Sequence, residues 1–329
     1  MLDWRNEADR LCGQIGTEKM REASTQLSNA YREARDTRSA RLDGDLLVAA
    51  YLAVRFPATM AAARAAAASV ASSIESRVAQ AEYEPQSLLD LGAGCGAGTL
   101  ALQHVWPSLA KVTAIEQVPA MVKMGKQILP GATWTTALIE SMPDLPMHDV
   151  VLLSYALSEA KGLPIERAWQ ATGQLLLIVE PGTPRGFETI LDARKRLIAA
   201  GASIVAPCPS HLACPAASPD WCHFSARLNR SVLHKRLKGG TLGYEDEKYS
   251  YVAAWRGDLI PGSPRVIRHP LIEPGRIQVE VCEPPGRGTL VATKRDKDRF
   301  RIFRKTRWGD ELDRGQDPSY APKISSSTS

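Results

Sequence analysis

Ser87-Leu88-Leu89-Asp90-Leu91-Gly92-Ala93-Gly94-Cys95-Gly96-Ala97-Gly98-Thr99 carries an apolar run straight into a string of alternating glycines. The run over 87–91 reads as a short buried strand, and the glycines as a tight turn leading into a helix. Without Cβ atoms the turn lets a nucleotide-like ligand approach the backbone. Working outward, Lys111-Val112-Thr113-Ala114-Ile115-Glu116 reads as a second strand, with further strands over 149–154 and 174–180, the last stopped by Pro181-Gly182. Helical stretches over 118–129 and 185–200 separate them. Strands alternating with helices imply an α/β fold with a parallel, doubly wound sheet. Glu116 falls at the end of the second strand, where a carboxylate can accept hydrogen bonds from ribose hydroxyls. The loop admits a dinucleotide read by G-x-G-x-x-G, another nucleotide-like cofactor, or a turn with no ligand.

The flanks differ in character. Residues 1–75 are rich in Ala, Arg, Glu and Leu and read as a helical region capping the 76–260 domain, with one helix ending and another beginning around Pro57. A Cys- and Pro-rich insertion occupies 205–240, strand-like residues return at 249–255, and 261–312 reads as a small basic β region. The tail over 313–329 is polar and expected to be disordered. Arg55, Pro57 and Arg64 interrupt the most apolar stretch, so no membrane span is expected. The N-terminus has no signal-peptide core, which makes the cytoplasm the expected compartment, or the mitochondrial matrix in a eukaryote. A monomer is expected.

Six cysteines are present, and Cys208, Cys214 and Cys222 fall within fifteen residues, with Cys282 more distant. In a reducing compartment such clustering reads as a metal site rather than a disulfide framework. Four thiolates suit zinc or an iron–sulfur cluster. The C-x5-C-x7-C spacing fits no common zinc finger, which favours [4Fe–4S] over zinc, with four unligated thiols as the remaining reading. His211 and His223 are candidate substitute ligands; Cys12 and Cys95 are read as non-ligands.

Net charge is +5, mild enough to permit an RNA partner without requiring one. Nine Lys/Arg against two acidic residues lie between Arg287 and Arg307, and Arg299-Phe300-Arg301-Ile302-Phe303-Arg304 reads as a strand with one charged face. Arg227, Arg230, Lys235, Arg236 and Lys238 form a second cluster. Such faces can neutralise phosphates; we take Arg227, Arg230, Lys235, Arg236, Arg299, Arg301 and Arg304 as candidate RNA contacts.

The glycine run resembles motif I of class I methyltransferases, whose Rossmann-like fold binds S-adenosylmethionine with the acidic residue before the glycines near the cationic methionine end. The resemblance implies cofactor contacts from Asp90, Gly92, Ala93, Gly94, Gly96, Glu116, Gln117 and Ser154. The stretch from Ser154 to Ala160 lacks the Asn/Asp-Pro-Pro-Tyr/Phe pattern of base amino-group methylation, so no catalytic residue is assigned. Adding V-E-P-G-T-P-x-G-F from Val179, A-P-C-P from Ala206, D-W-C-H-F from Asp220, R-F-P-A-T from Arg55 and K-x-R-W-G-D from Lys305, the chain resembles the methyltransferase-like assembly factors of the small ribosomal subunit. That family's best-known members are mitochondrial, with bacterial relatives. The resemblance implies a [4Fe–4S] cluster on Cys208, Cys214, Cys222 and Cys282, and binding to the small subunit and its 16S-type rRNA. The alternatives are an active methyltransferase for rRNA or a ribosomal protein with a zinc site, or a dinucleotide enzyme with a structural metal.

Overall fold

The computed structural model describes residues 2–32, 44–78, 82–157, 165–216, 220–284 and 286–312. The expectations for Ser158-Glu159-Ala160 and for the 313–329 tail lie outside these residues. Strands β1 (Ser87–Leu91), β2 (Lys111–Glu116), β3 (Thr133–Thr136), β4 (His148–Ser154) and β5 (Thr172–Pro181) run parallel in the order β3-β2-β1-β4-β5. Their apolar runs are unbroken because both faces are covered: Leu88, Leu89, Leu152, Leu153, Leu176 and Leu177 are wholly buried. Each such leucine contributes about 2 kcal/mol of transfer free energy. Helices α5 (Ala97–Val105), α6 (Pro119–Ile128), α7 (Ile165–Gln170) and α8 (Pro184–Ala199) supply the crossovers and much of the cover. α8 starts where the sequence stops β5, with Pro184 in its first turn and the Thr183 hydroxyl accepting from the Gly186 N–H at 3.1 Å.

The sheet is not parallel throughout. β6 (Ser203–Ala206) is reached through α8, and the chain then passes the cysteine loop, β7 (Phe224–Asn229) and α9 (Val232–Lys238). It returns as β8 (Tyr244–Trp255), antiparallel to β5, β6 and β7 at once. The return closes a hairpin with β7, and β8 also runs against β5 at the edge of the parallel strands.

The N-terminal region is helical as expected: α1 (Trp4–Ile15), α2 (Thr17–Arg32), α3 (Gly44–Ala50) and α4 (Phe56–Arg77). The break expected around Pro57 is instead a π-helical turn, Tyr51–Arg55, that joins α3 to α4. Proline lacks a backbone donor, and one wider turn absorbs that loss without ending the helix. The joined helix, Gly44–Arg77, is long and apolar enough to cross a membrane by composition, against the expectation that Arg55, Pro57 and Arg64 break the run. Yet 78% of that apolar window is buried in the protein. Ala62, Ala63, Ala66, Ala67 and Val70 let α4 lie close over the sheet, in one core with Leu177, Val205 and Tyr251.

A second, antiparallel sheet comprises β9 (Arg265–Val266), β10 (Leu271–Glu273), β11 (Arg276–Glu283) and β12 (Gly286–Thr293). The expected charged strand at 299–304 is corrected by α10 (Lys297–Lys305). Ile277, Val279 and Val281 alternate onto one face of β11, and that face needs an apolar cover. A helix provides it with Phe303 while Arg301 and Arg304 stay exposed. The Asp296 side chain accepts from the Arg299 N–H at 3.2 Å and caps the helix, whose last turn carries Arg304 and Lys305 in accord with its dipole.

Candidate functional site

The chain leaves β1 towards β2 on one side, while β4 lies on the other, so a crevice opens at the carboxyl ends of β1 and β4. Gly92 and Ala93 tie the loop down by donating to the Ile115 carbonyl at 2.9 and 3.0 Å. Gly92 has φ +77°, and a Cβ there would sit 2.5 Å from Cβ of Ala156. The resulting cavity is lined by Asp90, Gly92, Ala93, Gly94, Glu116, Gln117 and Ser154. Gly96 does not line it; a Cβ there would strike Leu129 at 2.4 Å, so this glycine serves the turn and its packing.

Polar atoms in this crevice lack partners. Oδ1 of Asp90, Oε1 of Gln117, Oγ of Ser154 and Oγ1 of Thr59 are buried with no hydrogen bond among the described residues. Buried polar groups are nearly always satisfied, and four orphans around one cavity are the signature of a polar ligand. The donor set fits a nucleoside: Glu116 accepts from the Gly94 N–H at 2.9 Å and the Val118 N–H at 2.8 Å, leaving lone pairs for hydroxyl donors. Burial pushes the Asp90 carboxyl up to about 6 against the hydrogen bond from Thr99, with the nearby Glu116 adding to the rise. Burial also raises Glu116, opposed by the backbone N–H groups of Val118 and Gly94. A cationic ligand would relieve both carboxylates.

The sequence reading missed a buried network beside this cavity. Tyr155, at the end of β4, has φ +57°, a left-handed conformation that a tyrosine rarely adopts. Its hydroxyl donates to Glu247 at 3.0 Å, and Arg55 reaches the same carboxylate at 3.1 Å. Tyr51 closes in on Gly94, where a Cβ would lie 2.9 Å from its hydroxyl oxygen. Arg55 opens the R-F-P-A-T stretch, but the contact to a residue on β8 has no local sequence signal.

The second cavity lies where β6 ends and α8 and β11 approach. Cys208, Cys214, Cys222 and Cys282 all line it, while Cys12 and Cys95 are buried elsewhere, Cys95 with its sulfur 3.2 Å from that of Met121. Burial, and then the neighbouring thiols, push Cys222 well up and Cys282 up to about 12, as expected for four thiols sharing one space. Arg194 and Arg287 face the same space and oppose the rise of Cys282. Among the described residues no three His, Cys, Asp or Glu side chains form a group that could hold a single metal ion. The two candidate substitutes are otherwise engaged. His211 Nε2 accepts from the Ile204 N–H at 2.9 Å, and His223 stacks on Trp221 with ring centroids 5.1 Å apart.

Arginines hold this irregular loop in place, a function the sequence reading did not find. Buried Arg77 donates to the carbonyls of Ile204, Val205, Cys208 and Ile260 at 2.6–3.2 Å. Arg194 donates to Ser210 and Leu212 at 2.8 and 2.9 Å, and Arg265 to Pro207 at 3.2 Å. Arg268 and Arg287 both grip Asp220, two residues before Cys222.

The basic residues fall into two places. On β7 and α9, Arg227 pairs with Asp246 at 2.7 Å and Arg230 with Glu245 at 3.0 Å, while Arg236 is exposed and Lys235 half-exposed. Burial would raise the Glu245 carboxyl, but hydrogen bonds from His234 and Lys238 hold it far below its ordinary range. On α10, Arg301 pairs with Asp298 at 3.1 Å and the Arg299 guanidinium lies 5.2 Å from the Phe303 ring centre.

Residues 45–313 match the family described as mitochondrial small ribosomal subunit Rsm22. The chain belongs to the Rsm22 family. The match runs through both cavities. The human ribosome assembly protein METTL17, mitochondrial, is 27% identical over 267 residues, 72% of this chain and 58% of that protein. The Schizosaccharomyces pombe Rsm22-cox11 tandem protein 2, mitochondrial, is 27% identical over 292 residues, 68% of this chain and 38% of that protein. This Rsm22-family chain thus spans well under two thirds of either relative's length. Among solved structures, the plantazolicin methyltransferase BpumL with S-adenosylhomocysteine aligns over 73% of this chain and 98% of that one, at 14% identity and TM-score 0.38. A precorrin-6y C5,15-methyltransferase from Geobacter metallireducens covers 58% and 87%, at 15% identity and TM-score 0.37.

Proposed function

We propose that this Rsm22-family chain assists assembly of a small ribosomal subunit and contacts its 16S-type rRNA. It does so with S-adenosylmethionine in the glycine-loop cavity and a [4Fe–4S] cluster on Cys208, Cys214, Cys222 and Cys282. The observation that carries this reading is that the four cysteines, 74 residues apart at their extremes in sequence, face one cavity within the family match. The C-x5-C-x7-C spacing, foreign to common zinc fingers, favours a [4Fe–4S] cluster over zinc. Arg194 and Arg287 would offset the negative charge of four thiolates. The cluster's task is structural: it would pin the loop to β11 through Cys282. Asp90, Thr59, Gln117 and Ser154 would hold the nucleoside and its cationic end. Lys235, Arg236, Arg301 and Arg304 remain the basic residues most available to phosphate, and the protein works as a monomer in its ribosome's compartment, mitochondrial matrix or bacterial cytoplasm.

A second reading, an active methyltransferase for rRNA or a ribosomal protein with zinc on the cysteines, draws support from Tyr155. Its left-handed backbone beside the cavity is the kind of strain that collects at working sites. Anaerobic purification with iron, sulfide and zinc analysis, followed by co-sedimentation with small subunits, tests both. About four irons and four sulfides per chain, lost in Cys222→Ser, are expected. One zinc with methyl transfer to small-subunit particles would favour the second reading. Neither metal would remove the ligand assignment, and failure to co-sediment would remove the ribosomal one.

A further inference from the structure

An open trough of about 750 Å³ runs between α4 and β7, away from both cavities. β7 pairs with β8 alone, so its other edge faces this trough. The floor is made of small side chains from one side of α4, Ala61, Ala65 and Ala68. A second recess of about 480 Å³ shares Ala65, Ala68 and Ser225 with the first, but Asp310 and Glu311 line it, so the cationic trough ends there.

The charge of the first recess is one-sided. Four arginines line it, Arg5, Arg64, Arg227 and Arg230, and no acidic side chain does. Arg227 and Arg230 keep acidic partners on β8. Arg5 and Arg64 are exposed and form no ion pair with any described residue. Arg64 stands as an isolated cation in an alanine-rich stretch of helix, without an i,i+4 acid to offset it. One end of the trough carries an indole, Trp4. There the Arg5 guanidinium lies 4.4 Å over Trp4.

We propose that this trough binds single-stranded RNA. The proposal rests on the reading of the chain as an rRNA-contacting factor and names the surface that makes the contact. Arg5 and Arg64 supply phosphate neutralisation, and the exposed Arg5 guanidinium, backed by the Trp4 indole, supplies a stacking plane. The recessed alanine floor accepts unpaired bases, which a duplex keeps inside its own stack. An acidic peptide would satisfy the cations, but it would leave the Arg5–Trp4 stacking plane without a role.

The test measures binding of the full chain to a fluorescein-labelled single-stranded oligouridylate and to the same strand annealed to its complement, across a salt series. Arg5→Gln/Arg64→Gln should bind about tenfold more weakly, and its salt slope should fall by about 1.4, some 0.7 for each lost phosphate contact. Thermal unfolding should change little, because both residues are exposed and form no ion pair and the exposed Arg5–Trp4 contact contributes under about 1 kcal/mol, and Arg64→Lys should bind as the parent does. If the parent binds RNA and the double variant binds equally well, the trough is wrong while the RNA-partner reading stands. If the parent binds no RNA yet co-sediments with small subunits, both fall. Tighter binding of the duplex, or photo-crosslinks from position 64 to a ribosomal protein instead of rRNA, would also overturn the proposal.

Discussion

The two cavities are organised in opposite ways. Around the glycine loop, strands and helices satisfy their own backbone, and polar side-chain atoms of Thr59, Asp90, Gln117 and Ser154 are left over. Around the cysteines there is little regular structure, and carbonyls of Cys208, Ser210, Leu212 and Pro207 accept from long cations reaching in from α4, α8 and β9. A regular scaffold can present unpaired polar atoms to a ligand because it does not need them for its own stability. An irregular loop has no such surplus, and every carbonyl it buries must find a donor. One site therefore offers polar side-chain atoms to a ligand, whereas the other has its loop backbone held by arginines and presents four sulfurs flanked by Arg194 and Arg287.

The contrast breaks most visibly at Arg77. Arg77→Met keeps much of the apolar stem but strands four carbonyls, those of Ile204 and Val205 in buried bonds, and should cost about 3–5 kcal/mol in urea unfolding. Metal content should fall with it, while S-adenosylmethionine binding by the remaining folded protein should persist, because Arg77 does not line that cavity. A loss below about 1 kcal/mol would mean the loop holds itself, and the contrast would fail.

How much of this was legible in the sequence follows the same division. The glycine cavity was readable because its residues follow strand ends: Asp90, Glu116 and Ser154 close apolar runs whose periodicity marks them. The cysteines were legible as a set through residue chemistry. Arg77, Arg194 and Arg265 were not, since an arginine in a helix or strand reads as a solvated face, and burial is decided by what packs over it. The helix at 297–305 was misread for a similar reason. Alternation of Arg and Phe fits a strand locally, but the apolar face of β11 required an amphipathic helix, and the Asp296 cap was the available clue.

Asp90 sharpens the glycine side of the comparison by titration. Its carboxyl sits at about 6, above its ordinary 3.8, chiefly because it is buried. In the ligand-free protein, stability is then lost as pH rises from about 4 to about 6, where the unfolded chain ionises this group more readily than the folded one. A cationic cofactor reverses the preference. Affinity for S-adenosylmethionine should be level above about pH 6 and fall by up to tenfold per unit below it. Calorimetry at pH 5 and 7.5 checks this, and Asp90→Asn should flatten the profile. A flat profile in the parent would place the cofactor's charge away from Asp90.

Ser154 offers the smallest effect and separates a ligand site from an accidental void. A buried hydroxyl with no partner is a liability of about 1 kcal/mol in the ligand-free protein. Ser154→Ala should therefore leave the apo melting temperature level or slightly raised. If the cofactor is the missing partner, the same change should weaken its binding by about threefold to tenfold, the worth of one net hydrogen bond. Opposite signs in the two measurements are required. A variant that melts lower without ligand would mean Ser154 already has a protein partner, and one that melts higher with unchanged affinity would mean the orphan oxygen faces empty space.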